Sequence, residues 1–165
     1  MRHLIERVLE LTEEEQVAPV EASPPAEGHA TDEELRSLLE SLQPRIGVYG
    51  VGGAGCNAAN RLFDEGLFEN TYVTGYAINT DAQALLMSSL DQKVLIGRTA
   101  RGRGAGGDPT KGEAAALESE MALRQITSDT QLAIITAGMG GGSGTGAAGH
   151  VARLAKQQGA LTIAV

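Results

Sequence analysis

With 165 residues, 42% of them apolar and 21% charged, the chain has material for one packed domain and an appendage. Two Phe, three Tyr and no Trp offer no aromatic platform for stacked bases, and a net charge of -8 repels a phosphate backbone, so no nucleic-acid partner is expected. The single cysteine, Cys56, excludes an internal disulfide and fits a reducing, cytoplasmic compartment. The sequence has no uncharged apolar run suited to membrane insertion or to a secretory signal.

Charge divides the chain. Residues 1–44 hold eleven acids and three bases, and residues 45–165 hold ten of each. The first part reads as an acidic extension. Leu4, Ile5, Val8, Leu9 and Leu11 recur at helical spacing before Glu13, Glu14 and Glu15. Pro19, Pro24, Pro25 and Gly28 then mark a linker. Thr31 and Glu34 form a capping box ahead of Leu35, Leu38, Leu39 and Leu42, which predicts a helix ended by Pro44.

From residue 45 onward strands and helices alternate. Arg45 to Tyr49 reads as a strand, leading into Gly50-Val51-Gly52-Gly53-Ala54-Gly55-Cys56-Asn57-Ala58 and then a helix through Leu62 and Phe63. Gly50, Gly52 and Gly55 match the G-x-G-x-x-G pattern in which a pyrophosphate meets a helix N-terminus. Tyr72 to Ile78 is a second strand, ending at Asn79-Thr80-Asp81. That polar triplet suits either contact with a nucleotide or the cap of a helix through Leu85 and Leu86, with Thr80 or Asp81 as the capping residue.

Lys93 to Ile96 is a third strand. It opens into Arg98-Thr99-Ala100-Arg101-Gly102-Arg103-Gly104-Ala105-Gly106-Gly107-Asp108-Pro109, a loop whose arginines and glycines suit closure over negative charge. Asp108 as cap and Pro109 at the first position predict one long helix to Ile126. A strand over 132–137 follows. It delivers Gly138-Met139-Gly140-Gly141-Gly142-Ser143-Gly144-Thr145-Gly146, with a helix behind it to about Gln158 and a last strand from Ala160 to Val165. Glycines here free the backbone for positive φ and for NH groups aimed at one point, and Ser143 and Thr145 add hydroxyls, so the stretch is expected to bind phosphate.

This alternation predicts an α/β fold, a Rossmann-like parallel sheet with helices on both faces and ligands gathered at the carboxyl ends of the strands. The domains expected are an extension over 1–44 and a nucleotide-binding domain over 45–165. The sequence stops within an apolar strand, so it reads as a fragment lacking its carboxyl half.

Residues 45–165 resemble the GTP-binding half of the tubulin/FtsZ family. Gly140 to Gly146 is similar to the family's G-G-G-[ST]-G-[ST]-G loop, Gly50 to Ala58 to its first nucleotide loop, Ala77 to Gln83 to its second, and Gly102 to Pro109 to the loop near the terminal phosphate. The resemblance implies a GTPase that polymerises head to tail and forms a midcell division ring in the cytoplasm, with GTP or GDP and phosphate-borne Mg2+ bound. On that basis Gly52, Gly53, Ala54, Gly55, Cys56, Asn57 and Ala58, with Gly140, Gly141, Gly142, Ser143, Gly144, Thr145 and Gly146, hold the phosphates. Gly104, Ala105, Gly106 and Gly107 lie near the terminal one, and Asn79 and Asp81 line the pocket.

No catalytic residue is assigned. The resemblance places the water-activating acids on a neighbouring subunit and the guanine contacts, division partners and membrane anchors in a carboxyl-terminal region. Gly149-His150 departs from the family pattern of Ala-Ala-Pro, and His150 reads as a surface or capping residue. Two other readings compete: a dinucleotide-dependent oxidoreductase, on Gly50, Gly52, Gly55 and Asp81, and a tubulin-like paralogue acting in cell shape.

Overall fold

The computed structural model describes residues 30–165, which fall into two compact units dividing between Ser41 and Leu42. The helix expected over 3–15 and most of the linker lie outside the described residues. In the first unit, helix α1 (Asp32–Leu42) starts at the capping box. Glu34 N donates to Thr31 Oγ1 at 3.2 Å and Thr31 N to Glu34 Oε2 at 2.8 Å. Leu35, Leu38, Leu39 and Leu42 are exposed.

The second unit is built on five strands: β1 (Ile46–Val51), β2 (Val73–Asn79), β3 (Gln92–Leu95), β4 (Leu132–Ala137) and β5 (Leu161–Ala164). They run in the order β3-β2-β1-β4-β5, every neighbouring pair parallel. The helices are α2 (Gly52–Asp64), α3 (Ala82–Leu86), α4 (Pro109–Glu118), α5 (Glu120–Thr127) and α6 (Gly142–Gln157).

Side chains leave a strand alternately on its two faces, and two clusters result. Tyr49, Val51, Ala133 and Ile135 pack with Ala115, Ala116, Leu123, Ala147, Val151 and Leu154 from α4, α5 and α6. On the opposite face Ala77 packs with Cys56, Ala59, Leu85 and Leu90. Cover from both sides explains why β1 is an apolar run and not an alternating one. Part of the second face is open: a groove of about 400 Å³ lies among Val48, Ala58, Arg61, Leu62, Glu65, Ile134, Thr136 and Val165.

The helix expected from 109 to 126 is broken once. It stops at Glu118 and restarts at Glu120, with Ser119 at φ -102°, ψ 18°. The Ser119 hydroxyl accepts from Gly97 N at 3.0 Å, while the Glu118 carboxylate receives Thr99 N and Oγ1, the latter at 2.7 Å. Two adjacent residues thus bind the start of another loop, and the helical path turns where they do so. The apolar spacing continues through Ser119, which is why periodicity alone shows no break.

Candidate functional site

In the strand order above, the chain reverses its direction of build-up between β1 and β4, and the crevice outside their carboxyl ends is where such sheets collect ligands. Two helices begin there. Helix α2 starts at Gly52, directly after β1, and α6 starts at Gly142, five residues after β4. The N-cap residues are Val51 and Gly141, and neither supplies a side-chain hydrogen bond to its helix. By contrast, Asp81 caps α3 through Gln83 N and Ala84 N, and Asp108 caps α4 through Thr110 N. The uncapped amides of α2 and α6 keep their donors and their share of the helix dipole for something else.

A cavity of about 360 Å³ lies between these starts, lined by Gly53, Ala54, Gly138, Gly140, Gly141, Gly142, Ser143 and Gly144. A Cβ added at Gly53, Gly140 or Gly141 would meet nothing within 4 Å, so these walls face open space. The lining contains no carboxylate, imidazole or thiol. It is a glycine-walled cradle without such a group of its own for proton transfer.

The glycines of the central stretch act differently from the expectation. None of those from Gly138 to Gly146 has positive φ. Gly142, Gly144 and Gly146 instead let elements touch. A Cβ on Gly146 would lie 2.1 Å from Pro109 O, one on Gly144 2.7 Å from Gly138 O, and one on Gly142 2.8 Å from Asp108 N. Gly112 answers Gly142 from the other side, where an added Cβ would lie 2.2 Å from the Gly142 carbonyl oxygen. Much of the stretch is helix, since α6 begins at Gly142. Its glycines draw the first turns of α4 and α6 together, and Gly52, whose added Cβ would meet Gly144 N at 2.5 Å, draws in α2.

The remaining expected residues are distributed around this cradle. Gly55 packs against Thr136 O, and Cys56 is buried with its thiol directed at Gly50 O and Ile78 O. Burial pushes that thiol's pKa up to about 11, so it is a protonated core residue and not a reactive thiolate. Asn57 is exposed, and Ala58 lines the groove on the second face. Asn79 is buried, its Oδ1 accepting from Asp81 N, and the Asp81 carboxylate is committed to capping α3. Thr145 Oγ1 is buried with no hydrogen-bond partner among the described residues, a state that buried polar groups rarely keep.

Gly104 and Ala105 line a neighbouring cavity of about 350 Å³ with Thr80, Lys111 and Glu118, while Gly106 and Gly107 face open space. In this loop the glycines do take the left-handed region: Gly102, Gly104, Gly106 and Gly107 all have φ between 60° and 79°. Arg98, Arg101 and Arg103 form no ion pair among the described residues. Gly138 and Thr80 lie within the phosphate-binding stretch and the polar triplet that the sequence singles out, but outside the residues that the resemblance assigns to the pocket. Gly138 sits one residue past β4, a position that alone suggests it, whereas nothing local reveals the partners of Thr80.

His150 is not at the surface. It is 5% exposed, with Nδ1 3.0 Å from Arg153 Nη1 and Nε2 3.5 Å from Glu120 Oε2. The α4–α6 packing that the glycines permit brings the middle of α6 under cover, which no local pattern around Gly149-His150 shows.

The model of the Tubulin/FtsZ family, GTPase domain, matches residues 45–165, the whole sheet and every loop of the cradle. The chain belongs to the tubulin/FtsZ family. Among curated proteins, "Cell division protein FtsZ 1" of Pyrococcus abyssi is 46% identical over all of this chain and 43% of its own length. "Cell division protein FtsZ 1" of Halobacterium salinarum is 45% identical over 84% of this chain and 34% of its own. The chain thus spans less than half the length of these FtsZ proteins. Among solved structures, "FtsZ dimer, empty (M. jannaschii)" aligns with a TM-score of 0.73 and 46% identity, covering 81% of this chain and 38% of that one. "CetZ2 from Haloferax volcanii - GTPgS bound protofilament" aligns at 0.62 and 28%, covering 73% and 39%. The parallel sheet and its helices are those of the tubulin/FtsZ GTPase domain.

Proposed function

We propose that this chain is the phosphate-binding part of a GTP-binding and GTP-hydrolysing protein that assembles head to tail and serves cell division. One observation carries the reading: α2 and α6 begin without side-chain caps on either side of a cavity whose glycine walls leave room and donors for a phosphate chain. The names of the FtsZ relatives support the division role, and the CetZ2 protofilament supports self-association. A midcell ring in the cytoplasm, with division partners and anchors bound outside this chain, belongs to the same proposal. Among the described residues no helix is long and apolar enough to cross a membrane.

In this reading the amides of Gly53, Ala54 and Gly140 to Gly144 hold phosphate oxygens, and the arginine–glycine loop approaches the terminal one. The residues present fit a cation carried by the nucleotide. Ser143 offers a hydroxyl oxygen on the cradle wall, whereas the described residues contain no cluster of three carboxylate, histidine or cysteine ligands. Magnesium would supply charge neutralisation on the phosphates. The chain's own contribution to hydrolysis is positioning and electrostatic stabilisation. The group that orients the attacking water comes from a second subunit, in keeping with a cradle that has no base of its own.

The oxidoreductase reading asks the acid at the end of β2 to bind a ribose, and Asp81 is occupied as a helix cap. Calorimetric titration of GTP, ATP and NAD into the chain tests the choice. Binding of the triphosphates that excess tripolyphosphate abolishes is expected. NAD uptake with no response to either triphosphate would overturn the proposal. Depletion in the source cell separates the roles: filaments that fail to divide are expected, and misshapen cells that divide normally would shift the assignment to cell shape.

A further inference from the structure

Thr80 stands between two loops that the sheet itself does not join. It follows the last residue of β2 and is 1% exposed. Its hydroxyl lies 2.6 Å from Ser143 Oγ, in the first turn of α6 and on the wall of the cradle. Its carbonyl oxygen accepts from Gly104 N at 3.1 Å, in the arginine–glycine loop. Around it the two segments run side by side. Ala82 N donates to Gly102 O at 3.1 Å, Ile96 N donates to Asn79 O at 3.0 Å, and Asp81 and Arg103 form an antiparallel bridge. Of these residues Thr80 has the one side chain bonded to the cradle and a main-chain group bonded to the loop.

We propose that Thr80 is a positioning residue that transmits occupancy of the cradle to the loop over residues 97–107, its hydroxyl reading the state of Ser143 and its carbonyl holding Gly104. The proposal rests on the phosphate-binding reading above.

The hydrogen-bond inventory explains the direction. Each hydroxyl has one proton to give and lone pairs to receive. With the cradle empty, either hydroxyl can donate the hydrogen bond between Thr80 and Ser143. Once the Ser143 hydroxyl donates its hydrogen bond to a phosphate oxygen, it accepts from Thr80, and the charge-assisted bond on one side strengthens the neutral one on the other.

Threonine is the residue type that converts this into backbone position. Its branched Cβ makes χ1 stiff, so a fixed hydroxyl fixes the orientation of its own peptide groups, including the carbonyl that receives Gly104. The loop has reason to need such a hold. Gly102 and Gly104 sit at φ 72° and 77°, Arg101 at φ 51° is the one non-glycine residue with positive φ among those described, and the three arginines lack ion-pair partners there. The loop is anchored at its start by Ser119 and Glu118 and further along by Ala82 and by the Thr80 carbonyl, and of these anchors Thr80 is the one whose side chain reaches the cradle.

Hydrogen exchange read by mass spectrometry tests this on the full chain, with tripolyphosphate as the probe because it presents a phosphate chain without sugar or base. In the unchanged protein, saturating probe is expected to slow exchange about tenfold both at residues 138–146 and at residues 98–107. In Thr80→Val, protection at 138–146 persists while that at 98–107 falls to within about twofold of the probe-free rate. Thr80→Ser, which keeps the hydroxyl but loses the branch that stiffens χ1, restores part of it. Thr80→Ala gives the same reading if circular dichroism shows that the valine protein does not fold. Loop protection that survives in the Val or Ala protein, or of which Ser restores no part, overturns the role of Thr80 and leaves the cradle intact. Absence of any protection at 138–146 in the unchanged protein overturns the phosphate-binding reading, and the relay with it.

Discussion

The chain has two glycine-rich stretches of similar composition at the same edge of the sheet, and they use glycine for opposite reasons. In 97–107, all five glycines have positive φ, and the neighbouring Arg101 shares that region. In 138–146, none of the six does, and three sit where any Cβ would strike another element's backbone or the chain's own. One stretch needs glycine for the path of its own chain; the other needs it so that three helix starts can converge. Composition cannot separate these uses, because the first depends on local dihedrals and the second on partners far away in sequence.

Alanine substitutions break the comparison apart. Gly146→Ala is expected to have the largest effect. Its Cβ would lie 2.1 Å from Pro109 O and 2.5 Å from Glu113 N, both backbone atoms that cannot rotate away. A loss of about 3 kcal/mol, read as a lower urea midpoint at unchanged m-value, follows from forced separation of α4 and α6. Gly104→Ala meets nothing closer than Asp81 at 3.7 Å, but it must hold φ 77°. A conformational cost of about 1–2 kcal/mol is expected there, with phosphate binding kept.

Gly141→Ala inverts the pattern. That residue has φ -110° and open space around it, so stability should stay within about 0.5 kcal/mol. The new methyl group intrudes on the cradle, however, and tripolyphosphate affinity measured by calorimetry should fall about tenfold, equivalent to about 1.4 kcal/mol. Unchanged affinity in Gly141→Ala would show that the open space beside it is not the phosphate path.

The smallest effect concerns how well α6 is seated. Burial lowers the pKa of His150, with help from Arg153 and Arg124 and against Glu120 and Glu113. Because Arg153 donates to Nδ1, the neutral ring carries its proton on Nε2. The unfolded chain therefore takes up the proton first as the medium is acidified. Stability is complete above the ordinary histidine range and declines as pH falls through it toward the lower folded value. Urea midpoints at pH 7.5 and 5.5 should differ more for the unchanged protein than for His150→Gln; equal differences would refute this.

Most of the architecture was legible because it is written in local patterns. The apolar run 132–137 matches β4 residue for residue, the Thr31–Glu34 box starts α1, and Asp108-Pro109 starts α4. Strand-helix alternation then leaves few topologies open. What stayed hidden is contact between residues distant in sequence. Ser119 breaks a helix because of Gly97, His150 is covered by α5, and Thr80 finds Ser143 across 63 positions. At the cradle, the residue types were readable while their tasks were not. Glycine spacing suggested turns, whereas Gly52, Gly112, Gly142 and Gly146 form the seams between helices.

The bare starts of α2 and α6 have a consequence for handling the protein. On the phosphate-binding proposal, a fold with two such helix ends is expected to have a melting temperature that depends on dissolved anions. Each tenfold excess of a bound anion over its dissociation constant adds about 1.4 kcal/mol. Phosphate buffer would raise that temperature and at the same time compete with nucleotide, so a thermal titration in chloride gives the ligand-free baseline, and the same melt in phosphate becomes a binding assay.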